Sequence, residues 1–307
     1  MNDYVILLIG LVCAGAGGEF FVRSTVGLAR AARISPGIIA ATVAAFATSS
    51  PELVIAVTSA VEGTPEISLG NALGANIVNV AMILGIVLLF AQVSVPRGSI
   101  RRDIPVAILA PAALALLLID GRLSRLEAWL LIAAFASWLW AIVGEARRER
   151  SAVVEVLGQP RITRAMIEGV LGLVLLIIAG QLIVDGSTGI AKSYGLSEFV
   201  IGATIVAAGT TVPELITALI ARWRGHDEVS LGTVLGSNIF NGLIIIGIAG
   251  AITPIEVPFR AVAPTLVVGS IAVALTIPSR LGVIDRWRGG MLLAVYVIYL
   301  ATVLQAG

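Results

Sequence analysis

Apolar stretches of roughly membrane-spanning length recur from Tyr4 to Leu304, and they leave little choice of solvent. An α-helix needs about 20 residues to cross a hydrocarbon core of about 30 Å. A chain that is 58% hydrophobic and 13% charged over 307 residues carries more apolar surface than one water-soluble fold can hide. The stretches are continuous and lack the alternation of barrel strands, so an all-α integral membrane fold is expected. Ten spans are predicted: Tyr4 to Arg30, Pro36 to Val61, Ser68 to Gln92, Ile104 to Ile119, Ala128 to Val143, Ile167 to Lys192, Val200 to Ala221, Leu231 to Ile252, Ala261 to Pro278, and Met291 to Leu304. No basic region precedes the first and no small-residue cleavage site follows it, so it reads as a retained helix.

One long polar connection, Gly144 to Arg164, divides the chain into a first half (1–143), a cytoplasmic linker (144–164) and a second half (165–307). Positively charged loops stay on the cytoplasmic side. With the spans above, 16 Lys and Arg fall on one side and 4 on the other, the minority being Arg122, Arg125, Lys192 and Arg260. Both termini are thus expected outside a prokaryotic-type inner or plasma membrane, with the arginine-rich linker touching anionic lipid. A net charge of +1 suits neither a nucleic-acid partner nor an acidic substrate. Cys13 stands alone, which excludes an intrachain disulfide or a cysteine metal cluster.

The halves repeat one another. A shift of 162 residues matches Ser35–Ile86 to Ser197–Ile248 at 23 of 52 positions. Greasy composition does not explain the polar and conformationally special matches: Thr48 with Thr210, Pro51 with Pro213, Glu52 with Glu214, Gly70 with Gly232, Gly74 with Gly236, Asn76 with Asn238, and Asn79 with Asn241. Five spans separate equivalent points. An odd number sends the second copy into the bilayer from the opposite face, so two inverted-topology five-helix repeats are predicted, about 36–92 and 198–252 at their centres.

Spans two and seven each bury a carboxylate, in Thr48-Ser49-Ser50-Pro51-Glu52 and Thr210-Thr211-Val212-Pro213-Glu214. At mid-membrane depth an ionisable group costs about 2.5 to 3.5 kcal/mol on insertion scales and needs a countercharge, a proton or water. No Lys or Arg lies at that depth, which leaves a cation from solution. Helical spacing puts the hydroxyls of Thr48 and Ser49 on or near the face of Glu52, and those of Thr210 and Thr211 near Glu214. Pro51 and Pro213 lack the N–H that would bond to Ala47 and Gly209, so each helix should kink and turn a carbonyl toward the cavity. Asn79 and Asn241 offer amide oxygens 27 residues beyond their respective glutamates. Carboxylate, hydroxyl, amide and carbonyl oxygens are the ligands of a hard cation such as Ca2+ or Na+.

With these residues in place, the two segments resemble the alpha repeats of the calcium/cation antiporter superfamily, and most closely its Na+/Ca2+ exchanger branch. The Thr-x-x-Pro-Glu form matters, because the proton-coupled branch has Gly-Asn-Ala-x-Glu there. The resemblance spans nearly the whole chain and implies antiport of Ca2+ against Na+ by alternating access, with these ions as substrates and no resident cofactor. Spans one and six would slide past a core of two, three, seven and eight. Carried over position by position, it implies that Thr48, Ser49, Glu52, Asn79, Thr210, Thr211, Glu214, Ser237 and Asn241 line the ion sites, with backbone carbonyls of Ala45 and Ala207. Three positions depart from the pattern: Ala75 where Ser237 stands in the second copy, Asn241 where potassium-dependent relatives have Asp, and Ala47 for a glycine. They bear on ion stoichiometry more than on ion class.

Other features admit plainer roles. The paired glycines read as helix-packing devices. Asn76 and Asn238 fit either a ligand or a bridge between helices. Glu19 and Arg23 are spaced for a local ion pair; Glu66 and Glu228 suit helix N-termini; His226 reads as a solvated loop residue. Proton-coupled or K+-linked exchange is the nearest rival function. A passive channel is another, and an intramembrane hydrolase lacks HExxH, GxSxG or an aspartyl pair in this sequence.

Overall fold

Among the residues that the computed structural model describes, 2–152, 162–193 and 209–306, each predicted span is largely helical. In chain order these are α1 (Asp3–Ala32), the bent pair α2 (Pro36–Thr48) and α3 (Ser50–Val61), α4 (Pro65–Phe90), the short α5 (Arg97–Arg101), α6 (Asp103–Leu117), α7 (Arg125–Ala152), α8 (Ile162–Ser193), α9 (Val212–Trp223), α10 (Asp227–Ile252), α11 (Phe259–Ala274) and α12 (Arg286–Ala306). By length and composition, α1, α4, α7, α8 and α10 can each cross a membrane, and the α2–α3 pair makes a sixth such segment if counted as one span. Local chemistry sets the ends. The Asn2 side chain accepts the Tyr4 N–H at 3.0 Å to open α1. Arg33, in the left-handed region at φ 58°, closes it by returning its N–H to Arg30.

Most boundaries shift by a few residues from expectation: α8, α10 and α12, for example, begin at Ile162, Asp227 and Arg286, ahead of the predicted Ile167, Leu231 and Met291. Helix α7 continues past Val143 to Ala152, because Glu145, Ala146, Arg147, Arg148 and Glu149 are good helix formers despite their charge. Helix α11 ends at Ala274, short of Pro278.

Burial separates centre from rim. The apolar windows of α4 and α10 are 67% and 78% buried, against 22–33% for α1, α7 and α8, so the two asparagine-bearing helices form the middle of the bundle. Gly236 lets α10 lie on α2: an added Cβ would stand 2.7 Å from Ala41 Cα. Helices α1 and α8 pack along their length through another glycine seam, where a Cβ on Gly17 would sit 3.0 Å from both Gly172 O and Leu176 N.

Among the described residues four two-residue strands, which the sequence does not announce, tie the halves together. β1 (Val93–Ser94) pairs antiparallel with β4 (Val283–Ile284), and β2 (Arg122–Leu123) with β3 (Ile255–Glu256). The 162-residue shift that aligns the repeats carries Val93 onto Ile255 and Arg122 onto Ile284. The two ribbons therefore occupy equivalent places in the two halves.

Polar contacts gather the arginine-rich segments at one end of the bundle. Arg102 donates to both oxygens of Asp103 at 2.7 and 2.9 Å and also pairs with Glu145. Glu149 accepts the Ser35 N–H at 2.7 Å, and Asp227 accepts that of Ser94 at 3.0 Å. The expected Glu19–Arg23 pair forms at 2.6 Å, and Arg224, immediately after α9, joins it at 2.7 Å. At the other end Arg125 reaches the Ile252 carbonyl, and Thr253 that of Ala60.

Candidate cation-binding site

The path of the chain through α2 and α3 is broken at Ser49, with a 47° bend between the helices. Pro51 sits in the first turn of α3 and Pro213 in the first turn of α9, where the missing N–H costs nothing. The bend agrees with expectation, and each freed carbonyl has a near neighbour. Ala47 O accepts the Ser50 hydroxyl at 2.7 Å. Gly209 O lies against α8, 3.1 Å from where a Cβ on Gly180 would stand.

Breaking both helices at this point starts α3 and α9 with Glu52 and Glu214 in their first turns, where the helix dipole favours negative charge. Each glutamate is 1% exposed, and the two lie close enough for their charges to interact. The hydroxyls around them cross between halves. Ser49 Oγ donates to Glu214 Oε1 at 3.2 Å, and Thr48 also lies against Glu214. Thr210 of the second half lies against Glu52. The expectation that each hydroxyl group serves the glutamate of its own helix is thus corrected: the bend at Ser49 swings Glu52 away from Ser49 and presents the hydroxyl to the opposite copy. Ser237, on α10, donates to Glu214 Oε1 at 3.4 Å.

Asn79 and Asn241 are each 1% exposed, and both sit second in a π-helical segment, Val78–Leu84 and Phe240–Ile245. A π-turn widens the helix by one residue and re-aims the side chains on it. A third such segment, Ala40–Ala44, ends immediately before Ala45. The Ala45 carbonyl already accepts the Ser49 N–H at 3.0 Å and the Thr48 hydroxyl at 3.3 Å. Thr211 is buried; Ala207 lies outside the described residues.

Both carboxylate oxygens of Glu52, Oε2 of Glu214 and the amide oxygens of Asn79 and Asn241 are buried without a hydrogen-bond partner. Burying an unpaired carboxylate costs several kcal/mol, and buried carboxylate and amide oxygens of this kind are acceptors that positive charge stabilises. Carboxylate and amide oxygens are chemically hard donors, of the kind that Ca2+ and Na+ take; among the described residues there is no cluster of three or more His, Cys, Asp or Glu. Asn76 and Asn238 resolve as a bridge, each amide donating to the other's backbone carbonyl at 3.1 Å. Sequence reasoning passed over Thr217 and Thr233, whose hydroxyls are buried and unpartnered; a helical threonine ordinarily bonds to its own preceding turn, so nothing in the sequence marks them.

The family profile described as sodium/calcium exchanger protein matches residues 3–144 and 166–305. The chain belongs to that family. Consistent with membership, this exchanger-family chain is 35% identical over 307 residues to the putative antiporter CaxA of Alkalimonas amylolytica, covering 96% of each. It is 30% identical over 261 residues to the inner membrane protein YrbG of Escherichia coli (strain K12), covering 82% of this chain and 80% of that one. The solved sodium/calcium exchanger from Methanococcus jannaschii superposes on it with a TM-score of 0.84 at 28% identity, over 97% of both chains. Like other members of the exchanger family, the protein is membrane-embedded and predominantly helical.

Proposed function

We propose that this protein is a secondary antiporter that exchanges Ca2+ for Na+ by alternating access. One observation carries the proposal: two buried carboxylates, from equivalent places in the two halves, lie together with unpartnered oxygens and, among the described residues, no cationic side chain bonded to them. Two fixed negative charges are balanced by one divalent ion or by two monovalent ions, so either cargo relieves the same electrostatic cost. Glu52, Glu214, Asn79 and Asn241 are the principal ligands. Thr48, Ser49, Thr210, Thr211 and Ser237 orient or complete the set, and the carbonyls of Ala45 and Ala207 lie at its edge.

The architecture proposed for this cycle is ten spans arranged as two inverted five-helix repeats, with both termini outside the cell. The equivalent ribbons, the equivalent π-segments and the collection of arginine-rich loops at one end of the bundle support it. The glycine seam between α1 and α8 suits a pair of helices that slides as a unit.

Reconstituted vesicles loaded with Na+ are the test. Ca2+ uptake should follow an imposed Na+ gradient at fixed pH and be absent under a proton gradient alone. Glu52→Gln and Glu214→Gln should each abolish it, and wild-type rates in either variant would sink the assignment. Uptake driven by H+ or K+ in place of Na+ would transfer the protein to the rival coupling, while uptake with no opposing ion would mark a channel.

A further inference from the structure

A cleft of about 960 Å³ opens between α6 and α7, and neither Glu52 nor Glu214 lies in its walls. Its inner surface is apolar, built from Leu109 and Ala113 on α6 and Ala134, Trp140 and Ala141 on α7. Leu109 is 63% exposed and Trp140 81%, so the flanks of the cleft face what surrounds the bundle, which in the ten-span architecture proposed above is hydrocarbon. The mouth has the opposite character. Arg97, Arg101 and Arg148 line it and are exposed, and none has a hydrogen bond or ion pair to another described residue. Arg102, beside them, is already committed to Asp103 and Glu145. The cleft thus presents four guanidiniums against one lining carboxylate, Glu145, and three of the four have no side-chain partner among the described residues.

We infer that this cleft binds one anionic phospholipid, its phosphate held by Arg97, Arg101 and Arg148 and an acyl chain laid along α6 and α7. Charge complementarity selects the headgroup, because guanidinium forks match phosphate oxygens. The apolar groove selects a lipid over a free anion, since only a lipid also covers the walls. With the orientation proposed above, the occupant belongs to the cytoplasmic leaflet, where clustered arginines meet anionic lipid.

The test uses the purified full-length chain in a zwitterionic detergent, titrated with phosphatidylglycerol or with phosphatidylcholine of the same acyl chains and read by native mass spectrometry. Phosphatidylglycerol should be retained in preference. Arg97→Gln, Arg101→Gln and Arg148→Gln should each weaken it about fivefold and the triple variant on the order of 100-fold, from about 1 kcal/mol per basic residue. Arg30→Gln, an exposed arginine outside the cleft, should leave binding unchanged. Ala141→Phe fills the groove with every arginine intact and should weaken binding by about tenfold or more. Equal retention of the two lipids, indifference to the triple variant or to Ala141→Phe, an Arg30→Gln effect as large as the others, or displacement by millimolar inorganic phosphate would each overturn the inference. Thermal unfolding of each variant without lipid checks the fold, and the single variants decide the matter should the triple be unstable. No step reads transport, so failure here leaves the exchange proposal untouched, and failure of exchange leaves this one standing.

Discussion

Replacing Ser49 by Ala tests the crossing of hydroxyls between the halves, and a double-mutant cycle reads it directly. Ser49 Oγ stands 3.2 Å from Glu214 Oε1 and has no bond to Glu52. A hydrogen bond to a charged acceptor contributes about 1.5–3 kcal/mol and a neutral one about 0.5–1.5. Short O–H···O⁻ contacts lie near 2.5–2.7 Å, so this longer one belongs at the low end of the charged range. Changing Glu214 to Gln keeps an acceptor and removes the charge. The Ser49→Ala and Glu214→Gln changes should therefore couple by about 1 kcal/mol, roughly fivefold in Ca2+ affinity. Ser49→Ala with Glu52→Gln should add to within about 0.5 kcal/mol, as expected of groups that share no bond. Calcium titration of the purified variants supplies the affinities, and unfolding in Ca2+-free detergent supplies a second cycle that needs no ion. Coupling that is larger with Glu52 than with Glu214 would refute the crossed arrangement and restore each hydroxyl to its own helix.

Three further outcomes are expected. Gly236→Ala forces a methyl to within 2.7 Å of the Ala41 backbone and should destabilise by about 1–3 kcal/mol, whereas Gly290→Ala, with no neighbour within 4 Å, should stabilise by up to about 1 kcal/mol; equal thermal shifts would contradict the packing. Asp103→Ala leaves Arg102 with Glu145 alone and deprives the Trp138 indole N–H of its 3.0 Å acceptor, a loss of about 3 kcal/mol in detergent unfolding, and a change under about 1 kcal/mol would remove the cluster's structural role. A disulfide between Ser94→Cys and Val283→Cys, in a Cys13→Ala background, joins partners in the β1–β4 ribbon and should leave exchange intact; exchange that stops on oxidation and returns on reduction would show that the ribbon opens during the cycle.

Much of the helix layout was legible because hydropathy over about 20 residues is a long, redundant signal that one charge does not erase. The extension of α7 was not legible, since charge in Glu145 to Glu149 looks like a loop once the apolar run ends, although those residues propagate a helix well. The 162-residue register singled out Glu52, Glu214, Asn79 and Asn241, and all four are buried at 1% exposure. Which hydroxyl meets which carboxylate does not follow from that register, because spacing along one helix reports only neighbours on that helix. The Ala47 carbonyl was lost for the same kind of reason: the missing N–H of Pro51 is visible in the sequence, and the rescue of that carbonyl by the Ser50 hydroxyl is a local choice among side-chain rotamers. Strands of two residues carry no alternation to detect, which is why the ribbons went unseen.

Those ribbons also impose a timetable on synthesis. Val93 emerges early, yet its partner Ile284 comes near the end of the chain, and Leu123 must likewise wait for Ile255. Until then the first half carries two unmatched backbone edges at its surfaces, so a truncated N-terminal half made alone should be a substrate for quality-control proteases, and co-expression of the missing half should rescue it.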